Sequence, residues 1–110
     1  MESNTMQWHE LLQRAEQCEE AAHKQLDLAE DYLTKAIEHA QSTLGPYDVN
    51  LAKCFLAHAH FLEMRQRFPE ALLRYKLAAA IYKQGGQLSA HALAASKVAR
   101  MKMLLGLEDE

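Results

Sequence analysis

Cys54 and His58 stand four residues apart, a spacing that on a helix turns a thiol and an imidazole toward one point where a metal ion would sit. Four further histidines (His9, His23, His39 and His91) and His60 widen the choice of ligands. A structural zinc site needs a second pair at similar spacing, however, and the chain has none. His60 belongs to another side of the same helix. The pair therefore reads as an apolar-face cysteine and a histidine packed between helices, and no metal ligand is assigned. No serine, histidine and acid combine with a nucleophile turn, and Gly85-Gly86 lacks the Lys and Ser/Thr of a phosphate loop. The carboxylate pairs Glu19-Glu20 and Glu30-Asp31 fall in charged helical stretches and read as solvated faces, while Met101 and Met103 read as core filler. No catalytic constellation and no cofactor site emerge, so the expectation is a protein that binds rather than one that catalyses.

The composition points the same way. A chain of 110 residues makes one domain large enough to bury a core, with 25% charged and 49% hydrophobic residues. Two prolines and four glycines amid frequent Ala, Leu, Glu, Gln and Lys favour helix throughout. A net charge of −3 argues against nucleic acid as the partner, because phosphate contacts need a basic surface. Two cysteines are too few for a disulfide framework, which implies a reducing compartment. The first residues resemble no signal peptide, and no apolar run approaches the roughly 18 residues of a membrane span. A cytoplasmic, non-membrane protein is expected.

Five helices are predicted, at about 5–22, 25–44, 48–65, 69–84 and 89–105. Ser3, Asn4 and Thr5 offer caps for the first, and Asp48 and Ser89 for the third and fifth. Between Thr5 and Leu44 there is neither Gly nor Pro, and Trp8, Ala15, Ala22, Ala29 and Ala36 repeat every seven residues. One long helix would also satisfy that stripe. A break near His23-Lys24, giving an antiparallel pair, is preferred because a single rod would project far beyond so small a core. Gly45 and Pro46 end the second helix, Arg65-Gln66-Arg67 forms the next turn, and Gly85-Gly86 the one after. Within the fourth helix Phe68, Ala71, Leu72, Tyr75, Ala78, Ala79 and Tyr82 form an amphipathic stripe behind Pro69.

That stripe has a copy upstream. Leu26, Ala29, Leu33 and Ala36 precede Phe68, Ala71, Tyr75 and Ala78 by the same 42 residues each time. The same interval carries Leu51, Ala52, Leu56, Ala57, Phe61 and Leu62 onto Leu93, Ala94, Val98, Ala99, Met103 and Leu104, so a third repeat begins without its second helix. With Leu44-Gly45-Pro46, Leu51-Ala52-Lys53, Ala59, Arg67-Phe68, Ala71, Tyr75 and Ala78 in register, the chain resembles tetratricopeptide repeats of the long kind found in kinesin light chains. Gln66 stands where that family usually has a turn glycine. The resemblance implies an all-α fold of antiparallel hairpins stacked as a short right-handed superhelix.

It further implies a concave groove, lined by the first helix of each repeat, that holds a peptide of a partner protein. Carried over by position, the third helix would present Lys53, Leu56, Ala57, His60, Glu63 and Met64 to that groove. Leu12 and Gln13 on one side, and Lys97, Arg100 or Met101 on the other, would extend it. Lys53, Lys97 and Arg100 favour an acidic segment. The function expected is that of a non-enzymatic adaptor or chaperone-like interaction module. The alternative is a structural protein that self-assembles, as a homodimer through residues 90–105, because its last helix is apolar almost all round.

Overall fold

Helix boundaries follow from where the backbone can find partners for its terminal groups. In the computed structural model, which describes residues 6–20 and 26–107, the helices are α1 (Trp8–Glu20), α2 (Leu26–Thr43), α3 (Val49–Met64), α4 (Phe68–Gln84) and α5 (Leu88–Leu104). There is no strand among the described residues. At the start of α1, Gln7 rather than Ser3, Asn4 or Thr5 takes the cap position. Its carbonyl accepts from Leu11 N at 3.0 Å, and its N–H donates to Glu10 Oε1 at 2.8 Å. That is half of a capping box. The three proposed caps lie outside the described residues.

The Gly-Pro connection after α2 is a turn: Asp48 N donates to the Gly45 carbonyl at 3.1 Å, with Pro46 in the position whose fixed φ suits it. Asp48 then caps α3, its Oδ1 accepting from Asn50 N at 2.8 Å. The later helices end in one recurring device. Gln66, Gly86 and Gly106 have φ of 60°, 74° and 73°, and each sits in the left-handed C-terminal turn. The following N–H reaches back in each: Arg67 to Leu62 O, Gln87 to Tyr82 O and Leu107 to Lys102 O, at 2.9, 2.9 and 2.8 Å. These are Schellman caps. Because Gln87 is already fixed by its cap, α5 starts immediately after it, and Ser89 lies inside the helix instead of capping it.

Each helix packs on the next along the chain, and α1 also touches α3. The result is a thin stack, 50 × 33 × 17 Å. Residues 8–43 are thus two helices packed together and not a rod, although the proposed break at His23-Lys24 lies outside the described residues. The 42-residue interval is legible in the burial pattern. Ala29 and Ala71 are fully buried, as are Ala36 and Ala78, and Leu33 and Tyr75 are 1% and 2% exposed. Alanine at these points lets neighbouring helices approach, while Leu33 and Tyr75 fill the space between them. Two apolar clusters result. One gathers Leu11, Ile37, Leu51, Phe55, Ile81 and Tyr82; the other gathers Leu33, Phe61, Leu62, Leu72, Tyr75 and Met101.

Candidate functional site

The first, third and fifth helices enclose a groove of about 660 Å³. From α3 come Leu56, Ala57 and His60, one turn apart on the side away from the buried Cys54 and Phe55. Leu12 and Glu16 of α1 form one wall; Ala90, Leu93, Ala94 and Lys97 of α5 form the other. Leu33, Tyr75 and Tyr82 make the floor from the second layer of helices. The opening exists because small side chains (Ala57, Ala90 and Ala94) stand where bulkier ones would close it. Its surface is mainly apolar, with Glu16, His60 and Lys97 as the charged or titratable side chains that line it.

Of the residues expected at a partner site, Leu12, Leu56, Ala57, His60 and Lys97 line this groove. Lys53 is exposed on α3 outside the lining, and Met64 is exposed at that helix's end. Glu63 and Arg100 are engaged with the scaffold. Tyr75 donates its hydroxyl to Glu63 Oε1 at 2.7 Å, and Arg100 Nη2 lies 3.4 Å from Glu63 Oε2. Burial, then the bond to Glu63, raises the Tyr75 phenol above its ordinary value, so the hydroxyl keeps its proton and remains the donor. Gln13 is exposed outside the groove, and Met101 is buried in the core.

Leu33, Tyr75 and Tyr82 belong to the groove floor although their spacing marks them as core. They do both jobs, each keeping one edge on the groove and the rest of the side chain in the stack. The signal available in the sequence was the pairing of these large residues with alanines on the helices opposite.

Behind the groove lies a polar cluster that helix periodicity does not announce. Glu30 on α2 accepts from Arg67 Nη1 at 2.7 Å and Nη2 at 3.0 Å, and His58 Nε2 is 3.3 Å from its Oε2. Arg67 also donates to both oxygens of Glu70, each at 2.8 Å. Glu30 therefore turns inward, whereas Asp31 behaves as the solvated acid expected of it and pairs with Lys35 on the surface. The Arg67 bond holds the Glu30 carboxyl below its usual value, and Glu70 is lowered chiefly by the same guanidinium. His58 is buried, and that burial lowers its imidazole pKa. A neutral ring donating from Nε2 to the ionised Glu30 leaves the lone pair on Nδ1, which is buried without a partner.

Cys54 is fully buried, and burial alone pushes its thiol up to about 11, far from a nucleophile's range. His58 of the same helix bonds to Glu30, so the two side chains serve packing and a hydrogen bond. Among the described residues no group of three or more His, Cys, Asp or Glu side chains is placed to hold a metal ion. Nor, among them, is any helix long and apolar enough to cross a membrane. Comparison with protein families, with curated proteins and with solved structures gives no significant match to this chain.

Proposed function

We propose that this chain is a non-enzymatic interaction module of the tetratricopeptide-like kind, and that it binds a peptide segment of a partner protein in the groove between α1, α3 and α5. The observation that carries the reading is the groove itself. It is an apolar trough of about 660 Å³ built from alternate helices, with His60 and Lys97 on its walls. Apolar side chains of an extended segment find area there, and the Lys97 ammonium orients an acidic residue of that segment. The groove residues Leu56, Ala57 and His60 are those the repeat resemblance assigns to a ligand face, which adds support from a separate direction. Residence in the cytoplasm accompanies this reading and rests on two unpaired, buried cysteines, Cys18 and Cys54.

The test is affinity capture from the native host, read by mass spectrometry, with the unaltered chain beside His60→Ala and Lys97→Glu. Both variants are expected to lose the specific partner while their thermal melts stay unchanged. A partner retained equally by both would remove the groove assignment.

A second reading, self-association through residues 90–105, is favoured by the exposure of Leu93, Met103 and Leu104. It is opposed by the charge of α5, which holds Lys97, Arg100 and Lys102 and no acid. Two such helices face to face would set like charges together.

A further inference from the structure

The three helices that line the groove run in one direction. Leu11 of α1, Phe55 of α3 and Ala94 of α5 belong to one apolar cluster, and Cys18, Phe61 and Met101, further along the same helices, belong to the other. In α2 and α4 the order is reversed. On each of the three lining helices a groove leucine is followed, four residues later, by a polar groove residue: Leu12 by Glu16, Leu56 by His60 and Leu93 by Lys97. Such an interval keeps one face of a helix and covers about 6 Å of its axis. Because the helices are parallel, the leucines stand along one edge of the groove and Glu16, His60 and Lys97 along the other. The floor divides in the same sense, with Tyr82 in the first cluster and Leu33 and Tyr75 in the second.

The polar edge carries opposite charges at its two ends. Glu16 lies on the α1 wall and Lys97 on the α5 wall, with His60 of α3 between them. Of the three cations that would favour an acidic segment, only Lys97 reaches the groove. Lys53 is outside the lining, and Arg100 lies 3.4 Å from Glu63, which offsets its charge. A purely acidic segment therefore gains at Lys97 and loses at Glu16.

We infer that the groove selects a segment of a partner protein that carries both charges. The segment is extended and crosses from α1 to α5, with a Lys or Arg opposite Glu16 and an Asp or Glu opposite Lys97. Between its polar residues every second side chain is apolar and faces the leucine edge. Successive side chains of an extended chain point to opposite sides, which suits a groove with one apolar and one polar edge. A neutral hydrogen-bonding residue stands opposite His60. This pattern presupposes the peptide groove proposed above and specifies the chemistry of what fills it.

Three end-capped synthetic peptides of about seven residues, roughly 23 Å when extended, test the pattern. In each, leucines alternate with two charged residues and a central Asn. The charged pair is Lys and Glu in one peptide, two Glu in the second and two Lys in the third. In fluorescence anisotropy against the full chain, the mixed peptide is expected to bind at least about fivefold more tightly than either of the others. Glu16→Lys should pass the preference to the two-Glu peptide, and Lys97→Glu to the two-Lys peptide. The double variant should restore the mixed peptide, entering in the reverse direction. A fourth peptide, of mixed composition but with its leucines grouped at one end, should bind more weakly by a similar factor. Ala57→Trp, which fills the groove, should abolish binding of all four. Leu93→Asn, at a residue 72% exposed, should weaken all four while the circular dichroism melt persists. Equal affinity for the three charge patterns would overturn the inferred charges and leave the groove in place, as would a preference that Glu16→Lys and Lys97→Glu do not move. Tightest binding by the two-Glu peptide would return the groove to an acidic partner, and equal binding of the grouped peptide would overturn the alternation. Binding that survives both Ala57→Trp and Leu93→Asn would instead remove the groove itself, and absence of binding by every peptide would end both.

Discussion

Arg67 grips Glu30 with two guanidinium nitrogens, at 2.7 and 3.0 Å, across 37 residues of chain. The fork-to-fork geometry ties the start of α4 to α2, the equivalent helix of the preceding repeat. It lies at the rim of the stack, with the Arg67 side chain 34% exposed and Glu30 25% exposed. Solvent therefore weakens it relative to a buried pair. Arg67→Met is expected to lower the unfolding free energy by about 1–2 kcal/mol in urea titration. No measurable change would mean that the pair is ornamental.

Acid should destabilise the fold in two stages. Burial lowers the folded pKa of His58 below its ordinary 6.5, and Arg74 and Arg67 oppose its charging further although Glu30 pulls the other way. The unfolded chain then binds that proton first, so stability falls as pH drops below about 6.5 until the folded-state value is passed. Glu30 is also depressed in the folded state, so its contribution is present above the ordinary carboxylate value of 4.5 and is lost below that as pH falls through its folded pKa. Thermal melts between about pH 7 and 5 should show the first stage, and His58→Gln should flatten it. A variant with the original slope would place the titrating group elsewhere.

Gln66 holds a left-handed backbone, φ 60°, that the other two Schellman turns assign to glycine. A side chain there carries a steric cost that a glycine would avoid, partly offset by the freedom glycine gains when unfolded. Gln66→Gly should stabilise the chain by about 0.5–1 kcal/mol, and Gly86→Ala should cost about 1–2 kcal/mol. Chemical denaturation of the two variants gives the comparison, and a Gln66→Gly that destabilises or a Gly86→Ala that does not would refute the turn assignment.

Tyr75 joins two roles that substitutions can separate. Removing the ring in Tyr75→Ala should cost about 3–5 kcal/mol, because the side chain is 2% exposed between the repeats. Tyr75→Phe keeps the ring and removes only the bond to Glu63, for a cost of about 1–3 kcal/mol. Equal losses in the two variants would show that the hydroxyl, and not the packing, dominates.

The helices and their inner faces were legible in the sequence because alanine on a helical stripe marks where a neighbour comes close. Ala29 with Ala71 and Ala36 with Ala78 showed this at a fixed interval. Asp48 as a cap was legible for a similar reason, since its chemistry is local. Glu30, His58 and Arg67 were not, because their meeting depends on three elements folding together, and a charged residue on a helix looks the same whether it faces water or an arginine. Of the expected partner residues, Leu12, Leu56, Ala57, His60 and Lys97 line the groove. Glu63 and Arg100 have the right register but are engaged with Tyr75 and each other, a competition that no single-helix pattern reveals. Met101 and Met103, two residues apart, likewise part ways, one in the core and one on the surface.

The acid-free stretch from 71 to 107 also makes the molecule an electric dipole, since the first 70 residues hold 12 of its 15 acids. Near an anionic partner it should turn toward contact with its α4 and α5 cations, an orientation that the acids Glu108, Asp109 and Glu110 after α5 in the chain moderate. Its encounter rate should then decline with added salt, even though a net charge of −3 would by itself predict repulsion.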